Sequence, residues 1–397
     1  MTSAGRALLG RAAIAGLGIT DTGKVYGRSA GAFAAEAVRL AVADAGLELA
    51  EVDGLLLSNG VSGGVELRLA RDLGLRDLRV LSHMGSAGAT AISQVQQAAL
   101  AVAAGQASVV VCVHADAPLR EPGEASGAVY RNTGSRRGAA GLGALNTAGG
   151  MRGANNAYAL AARRHMERYG TTSEQFGAIA VAQREWAAMN PRARFRDPMT
   201  LADHQASRLV VDPLHLLDCC MVSNGGIAVV VTSVERARDL AHPAVHLWGT
   251  AQSHPGYTMA KGCEFGLTTG AARSGPAAMA MAGIRPSDVD LCQLYDCYTY
   301  TALVTLEDYG FCAKGEGGAF AASGALAPGG ALPTNTGGGQ LSSFYLWGMT
   351  PLSEAVIQAR GEGGARQVAP HDVVLVSGNG GLLDHHATLV LGTEARP

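Results

Sequence analysis

The stretches AGLELAEVDGLLLSN (45–59) and AGIRPSDVDLCQLYD (282–296) share an Ala-Gly pair, a six-residue step and a Val-Asp pair that leads into an apolar run. Each follows an alanine-rich segment, GAFAAEAVRLAVADAG (31–46) in the first case and AAMAMAG (277–283) in the second. A helix, a short turn and a buried strand make up one α/β crossover unit. Because this unit recurs, the sequence predicts an α/β protein built from two duplicated halves.

Further valine-rich runs extend both halves. ASVVVCVHAD (107–116) and DVVLVSGNGG (372–381) each follow a predicted helix, and continuous apolar runs of this kind are typical of strands covered on both faces. The run SNGGIAVVVTSVERA (223–237) predicts another strand, which closes the first half. We therefore expect a first half at 1–240 and a second half at 241–397.

The pattern changes between about 117 and 210, inside the first half. A stretch rich in Gly, Arg and Asn (126–156) precedes the helical segments AYALAARRHMERYG (157–170) and FGAIAVAQREWAAMN (176–190). Long excursions from a compact core commonly cover an active site or a partner surface. We expect an inserted loop domain here, with a disordered linker as the alternative for 122–153.

The composition argues against several classes of function. The 397 residues carry a formal net charge of −2 with acids and bases mixed along the chain, which disfavours a nucleic-acid partner. No apolar run reaches the ~18 residues that a membrane span requires. The segment GRAAIAGLGIT (10–20) predicts a strand rather than part of a signal peptide. The seven cysteines include no CxxC pair, so we expect reduced, buried thiols in a cytoplasmic protein.

Three segments carry a family resemblance: SHMGSAGATAI (82–92), QLYDCYTYTALVTLEDYGFCAKGEGG (293–318) and NTGGGQLSSFYLWG (335–348). Together with the two similar halves and the excursion, they resemble the thiolase superfamily, and most of all its sterol-carrier type. The resemblance implies the thiolase fold, in which two duplicated α/β halves form a five-layer αβαβα arrangement with an inserted loop domain.

The catalytic motifs of thiolases are altered at each position. GSAG (85–88) stands in place of Cys-Ser-x-Gly, so Gly85 replaces the nucleophilic cysteine, and VSG (376–378) replaces the late Cys-x-Gly. Tyr295 replaces the histidine of His-Asp-Cys-Phe, and Tyr345 replaces the histidine of Gly-His-Pro. Claisen chemistry needs an acyl-cysteine and a second thiol, which these motifs do not supply. Ser86 remains open as a substitute nucleophile.

Paired tyrosines suit another reaction of acyl thioesters. A phenol both donates and accepts hydrogen bonds, so two phenols can stabilise an enolate and move protons without an acyl-enzyme. Retro-aldol cleavage of a 3-hydroxyacyl-CoA needs only a base at the hydroxyl, donors at the thioester oxygen and an acid for C2. The pattern resembles the steroid side-chain-cleaving aldolases, which implies Tyr295 and Tyr345 as catalytic residues. We favour Tyr345 as the base, although the residues leave this assignment open.

That branch releases a ketone and a short acyl-CoA such as propionyl-CoA from a branched, steroid-derived substrate. The resemblance also implies a homodimer that pairs through first-half strands, and a small partner protein with an OB-fold and often a zinc ribbon. Two alternatives remain: a non-catalytic acyl-CoA-binding subunit, and an acyltransferase with an unidentified nucleophile.

Other candidate residues are weaker. We expect no cofactor beyond the coenzyme A thioester substrate, and no metal, since Asp384-His385-His386 is interpreted as a polar cluster at a strand edge. His83 is interpreted as a packed loop residue. The candidate pocket residues are His254, Gly85, Gly338, Gly339 and Gly380. The arginines of the excursion are candidates for the coenzyme A phosphates: Arg136, Arg137, Arg152, Arg163 and Arg164.

Overall fold

The structure, a computed structural model, describes residues 10–121, 148–150, 153–255 and 265–395. The first half begins with four strands and three helices. The strands are β1 (Ala12–Ile19), β2 (Gly54–Asn59), β3 (Val80–His83) and β4 (Val109–Asp116). The helices between them are α1 (Ala30–Asp44), α2 (Leu69–Asp72) and α3 (Thr90–Ala103).

The excursion and the end of the first half follow. The excursion contains α4 (Ala154–Tyr169), α5 (Ser173–Ala188), α6 (Leu201–Ala206), β5 (Leu209–Val211) and β6 (Leu214–His215). The chain then returns through β7 (Gly225–Ser233) and α7 (Val234–Ala237). The helical segments predicted after residue 153 are therefore confirmed, whereas most of 122–153 lies outside the described residues.

The second half repeats the alternation of strands and helices. Its strands are β8 (Val245–Ser253), β9 (Leu291–Gln293), β10 (Val373–Gly380) and β11 (His385–Gly392). Its helices are α8 (Ala271–Ala282), α9 (Thr299–Tyr309), α10 (Gly317–Ala322) and α11 (Met349–Ala359). A short π-helical turn, Gly339–Ser343, precedes α11.

The strands hydrogen-bond in the order β3-β2-β4-β7-β1-β8-β11-β10-β9. The junction between β1 and β8 has only two residue pairs, so the series consists of two half-sheets joined at one edge. β2-β4-β7-β1 in the first half has the same order as β9-β10-β11-β8 in the second. This internal symmetry is what the duplicated sequence pattern predicts.

The repeated Val-Asp pair has the same function in both halves. The carboxylate of Asp53 accepts hydrogen bonds from the backbone N–H groups of Ser108 and Val109, each at 2.8 Å from Oδ1. In the second half, Asp290 accepts from the N–H of Val373 at 2.9 Å. Each aspartate thus fixes the start of the neighbouring parallel strand, where an N–H group would otherwise lack a partner.

The helices complete five layers. α1 packs with the outer face of the first half-sheet, and α8 and α9 pack with the outer face of the second. α3 and α11 lie between the half-sheets, in a single apolar core that contains residues from both. The thiolase fold expected from the sequence is confirmed.

The excursion packs on the second half. Ala161 of α4 and Phe176 of α5 share an apolar core with Tyr300 of α9. The rings of Phe176 and Tyr300 make an edge contact, with centroids 6.1 Å apart. The excursion helices therefore cover the segment that follows Tyr295. Within the ranges that the structure covers, no helix is both long and apolar enough to cross a membrane.

Candidate active site

Tyr295 lies just after β9, and three contacts fix its position. Its backbone N–H donates to the hydroxyl of Ser377 on β10 at 2.9 Å. The N–H of the preceding Leu294 donates to the side-chain oxygen of Asn335 at 2.6 Å. The ring packs on the backbone of Gly88, where an added Cβ would lie only 2.3 Å from the ring carbon that carries the hydroxyl. Gly88 is therefore required for this phenol to reach the start of α3.

Tyr345 lies between the π-helical turn and α11. Its backbone N–H donates to the hydroxyl of Ser223 at 3.0 Å, and Ser223 belongs to the first half. The N–H of Leu346 donates to the hydroxyl of Thr350 at 2.9 Å, in the first turn of α11. The phenol is thus held between a first-half serine and a second-half helix.

The two phenols, fifty residues apart in sequence, meet at their hydroxyl groups. The hydroxyl oxygens of Tyr295 and Tyr345 are 2.9 Å apart, and either can donate. The rings are inclined at 67° with centroids 6.5 Å apart. Both side chains are buried, with exposed fractions of 3% and 9%. A pair of hydrogen-bonded phenols in a dry site can exchange a proton directly.

Gly85 lies three residues before Gly88, which contacts the Tyr295 ring. The residue itself is exposed, and an added Cβ would meet nothing within 4 Å. Two residues further on, the turn Ala87–Ala89 leads into α3. Ser86 has its N–H bound to Thr90 Oγ1 at 2.8 Å and its hydroxyl 3.4 Å from the same oxygen. No base among the described contacts activates Ser86.

Gly380 brings β10 against the same turn. A Cβ at Gly380 would lie 2.2 Å from the carbonyl oxygen of Ser86, so only glycine permits this approach. Gly378, two residues earlier, lies equally close to Ala89. A Cβ added at Gly378 would lie 3.0 Å from the Cα atom of Ala89. The alternating glycines of β10 therefore seat the beginning of α3 on the second half-sheet.

Gly338 and Gly339, expected to line a pocket, also lie in close contact with other parts of the protein. An added Cβ at Gly338 would lie 2.6 Å from Ala187 Cβ on α5, and one at Gly339 would lie 2.2 Å from a carboxylate oxygen of Asp296. Both residues have positive φ, 96° and 58°. They permit close packing of the loop on α5 and on Asp296, which accounts for glycine without a ligand.

Asp296 caps the π-helical turn from inside the protein. The N–H of Gln340 donates to both carboxylate oxygens, at 3.0 and 2.9 Å. The side chain has no exposed surface, and burial raises the pKa of Asp296 to about 7. The nearby side-chain amide of Gln183 on α5 favours the ionised carboxylate and so opposes part of this rise in the pKa. The residue after Tyr295 therefore anchors the loop that leads to Tyr345.

Two exposed histidines form a pair near the site. His254 is exposed, and its ring nitrogens lie 3.1 Å from His385 Nδ1 and 3.0 Å from Gln252 Oε1. His385 pairs with Gly380 in the sheet, which places this histidine pair at the same end as the tyrosines. Among the described residues, no three His, Cys, Asp or Glu side chains group as a metal site requires.

The other two histidine interpretations differ in outcome. His385 and His386 begin β11, so the polar cluster lies at the start of a strand, and His386 is enclosed because β11 is an inner strand between β8 and β10. It is fully buried, its Nδ1 is 2.9 Å from the hydroxyl of Ser274, and burial lowers its pKa to about 3. His83 is not a packed loop residue. It is exposed on the edge strand β3, with Nε2 3.0 Å from Asn59 Nδ2.

The thiols nearest to the tyrosines are protonated. Burial raises the pKa of Cys297 to about 12 and that of Cys220 well above its usual value, although a hydrogen bond from Tyr158 favours the Cys297 thiolate. Tyr158, on α4, packs on Tyr298 with ring centroids 4.5 Å apart, a contact that the sequence did not indicate. It also interacts electrostatically with Tyr295. Its alanine-rich surroundings gave no signal to distinguish it from an ordinary core residue.

Two of the arginines expected to bind the coenzyme A phosphates are described by the structure, and both contact other groups of the protein. Arg163 pairs with Asp212, and Arg164 donates to the carbonyl oxygen of Phe265 at 3.3 Å. The other candidates for the coenzyme A phosphates, Arg136, Arg137 and Arg152, lie outside the described residues. A cavity behind the NTGGG loop, lined partly by Gln293, Asn335 and Glu354, has a volume of about 20 Å³. That volume suits a water molecule and excludes an acyl chain.

Known proteins are similar to this chain over nearly its full length. Residues 249–393 match the thiolase C-terminal domain-like family. A steroid side-chain-cleaving aldolase of Thermomonospora curvata is 43% identical over 94% of this chain and 96% of its own. The 17-hydroxy-3-oxo-4-pregnene-20-carboxyl-CoA lyase of Mycobacterium tuberculosis is 40% identical over 94% of this chain and 97% of its own.

A solved structure shares the fold over nearly the full length. The Ltp2-ChsH2(DUF35) aldolase superimposes with a TM-score of 0.87 and 42% identity, covering 98% of this chain and 100% of the other. Its name joins two components, so that aldolase was solved together with a partner protein.

Proposed function

This chain belongs to the thiolase-fold family of steroid side-chain-cleaving aldolases, and from that premise we propose that it cleaves a branched, steroid-derived 3-hydroxyacyl-CoA. The products are a ketone and a short acyl-CoA such as propionyl-CoA. The observation that carries the mechanism is the 2.9 Å contact between the Tyr295 and Tyr345 hydroxyls, at the positions of two thiolase histidines.

The reaction needs one proton to leave and one to arrive. Tyr345, as phenolate, takes the proton of the C3 hydroxyl. The C3–oxygen bond becomes a carbonyl, the C2–C3 bond breaks, and its electron pair moves to C2 as the thioester enolate. Tyr295 then protonates C2, and the acyl-CoA is complete.

The hydrogen bond between the phenols closes the cycle. After one turnover Tyr345 holds the proton from the substrate and Tyr295 has lost its own. Transfer across the 2.9 Å contact restores the starting state without a solvent proton. The pair is therefore expected to titrate as one unit, with the singly ionised form active.

The start of α3 favours the negative charge that the reaction develops. Gly88 lies in the turn ahead of this fourteen-residue helix and touches the Tyr295 ring. The partial positive charge of a helix N-terminus stabilises a nearby phenolate or enolate. Open space at Gly85 provides room for a branched acyl group beside the phenols.

The acyltransferase alternative has little support. An acyl-enzyme needs an activated nucleophile, but burial raises the pKa of Cys297 and Cys219 to about 12 and that of Cys220 well above its usual value. Gly85 supplies no side chain at the position of the thiolase cysteine. The non-catalytic acyl-CoA-binding subunit remains the alternative that the experiment below must decide.

We also propose the assemblies that the resemblance implies. The chain forms a homodimer and binds a small protein with an OB-fold, as the family resemblance implies, and the two-component name of the related aldolase supports a partner protein. No cofactor is required, because every step uses a phenol or the thioester itself. The site of action is the cytoplasm.

The decisive experiment incubates the chain, alone and with its co-encoded small partner, with a branched 3-hydroxyacyl-CoA. We expect equal amounts of ketone and short acyl-CoA, with no free CoA consumed. Tyr295→Phe and Tyr345→Phe should each lower kcat by roughly 10²–10⁴-fold, as loss of a general acid or base does. Tyr300→Phe is the matched control, since its buried hydroxyl bonds only the carbonyl of Gly266 among the described contacts.

The outcomes separate the alternatives. Full activity in either site variant would refute the phenol mechanism. Unchanged substrate under every pairing would favour the binding subunit. Cleavage that consumes free CoA and forms an acyl-enzyme would favour the acyltransferase.

A further inference from the structure

The backbone after Tyr345 adopts a conformation that needs support from its surroundings. Trp347 has a positive φ of 51°, which is unfavourable for a bulky side chain. Its carbonyl oxygen accepts a hydrogen bond from the side-chain amide of Gln340 at 2.7 Å. The indole itself is packed against a residue of the other half of the protein.

That residue is His114, near the end of β4. The imidazole and indole rings stack with centroids 5.1 Å apart and an interplanar angle of 26°. His114 Nδ1 lies 3.0 Å from the hydroxyl of Ser58 on the neighbouring strand β2. The imidazole is 1% exposed, and burial lowers its pKa to about 3, so it is a neutral, flat ring held in place by the first half-sheet.

The backbones of the two tyrosines are thus supported from different halves. Tyr345 and Trp347 contact first-half residues, Ser223 and His114, respectively. Tyr295 is held by Ser377 of the second half through its backbone. The distance between the two hydroxyls therefore depends on where the first half places the Tyr345 segment.

We propose that His114 is a positioning residue for the cleavage reaction, and that its stack with Trp347 holds Tyr345 at hydrogen-bonding distance from Tyr295. This inference rests on the proposed function, since it assigns His114 a role through Tyr345. His114 cannot serve as a base itself, because it is buried and its pKa lies far below neutral pH. A misplacement of about 1 Å costs up to roughly 10²-fold in rate.

The first test asks whether the flat imidazole ring of His114 is needed or only the volume that it occupies. His114→Phe keeps a flat ring for the stack, whereas His114→Leu fills similar space without one. We expect H114L to lower kcat about tenfold with little change in KM, and H114F to retain kcat within about threefold. Equal defects in both variants, or none in H114L, would overturn the proposal.

The second test asks whether the effect passes through Tyr345. H114L is combined with Tyr345→Phe and, separately, with Tyr295→Phe. If His114 acts by holding Tyr345 at hydrogen-bonding distance from Tyr295, H114L should cost less than about twofold in either background, because each variant removes one hydroxyl of that pair. A further tenfold loss in both backgrounds would indicate general damage and refute the inference.

Two further variants serve as controls for the effect of H114L and for its possible failure to fold. His386→Leu removes another buried histidine whose pKa is lowered to about 3, and its effect should be additive with Tyr345→Phe. Ser58→Ala frees the imidazole to rotate without a large change in volume, so kcat should fall about threefold. If H114L failed to fold, normal kcat in S58A would count against the proposal. An unimpaired Tyr345→Phe enzyme would instead refute the proposed function.

Discussion

Gly85 gives the sharpest prediction at the scale of a single residue. A Cβ at this position has open space within 4 Å, so Gly85→Cys should fold normally. The added sulfur would occupy the space that we assign to the branched acyl group. We expect cleavage of a branched 3-hydroxyacyl-CoA to fall at least about tenfold, mainly through KM, measured by ketone release.

Gly85→Ser is the matched comparison, because it adds a group of similar size without a thiol. Equal losses in both variants would assign the effect to size. If Gly85→Cys cleaved the branched substrate as well as the wild-type enzyme, the argument from space would fail.

The tyrosines show what a sequence can predict about a site. Tyr295 and Tyr345 were identified because the motifs around them remain similar to those of thiolases, and their 2.9 Å contact supports treating them as one unit. His114 and Tyr158 gave no such signal. Both contribute through contacts between distant segments, which depend on how half-sheets and helices pack rather than on local pattern.

At the scale of elements, the π-helical turn Gly339–Ser343 connects the protonation of Asp296 to stability. Burial raises the pKa of Asp296 from 3.8 to about 7, so the folded state holds a proton that the unfolded chain releases. This contribution is full below pH 3.8 and is lost as the pH rises to about 7. The wild-type unfolding free energy should therefore fall across this range, by up to ~1.4 kcal/mol per pH unit.

Asp296→Asn retains an acceptor for the N–H of Gln340 and does not titrate. Urea unfolding at about pH 5 and pH 7.5 should show a smaller pH dependence in the variant than in the wild-type protein. Glu174→Gln is the control, since its carboxylate is exposed and its pKa is lowered, not raised. The same pH dependence in D296N and wild type would mean that Asp296 is ionised throughout this range.

The glycines near this turn show why the sequence could not distinguish two functions of glycine. NTGGG predicts pocket residues at Gly338 and Gly339, and the structure also shows these two glycines in close approach to α5 and Asp296. Gly88 and Gly380 do bring backbone towards the phenols, by seating the start of α3. A glycine in the sequence indicates that another group can approach the backbone closely. The structure is needed to show whether that group is a helix, a carboxylate or a substrate.

At the scale of the whole molecule, duplication places unlike residues at equivalent positions. Aligned by the repeated Val-Asp pair, Ser58 of the first half corresponds to Tyr295 of the second. Ser58 holds His114, which stacks under the segment of Tyr345, while Tyr295 meets Tyr345 directly. One copy of the unit thus supplies a phenol that we propose to be catalytic, and the other copy supports the segment of the second phenol. The sequence repeat predicts the symmetry of the two copies but not this difference between them.

The first-half edge of the sheet provides a prediction about assembly. β3 pairs with β2 on one side only, and its Leu81 is 43% exposed. An edge strand with an exposed apolar side chain is suited to pairing with a second copy. We propose that two copies of the chain associate through β3, in agreement with the homodimer that the family resemblance implies.

Leu81→Glu places a charge in the proposed interface and should convert the dimer to a monomer in sedimentation velocity experiments. Leu209→Glu is the matched control, because Leu209 is 52% exposed on β5 in the excursion, away from the edge strand. A monomeric wild-type protein would refute the dimer, and dissociation by L209E alone would move the interface to the excursion. Because Tyr295 and Tyr345 meet within one chain, the L81E monomer should retain its phenol pair. Activity lost together with the dimer would therefore show that the second copy shapes the substrate site.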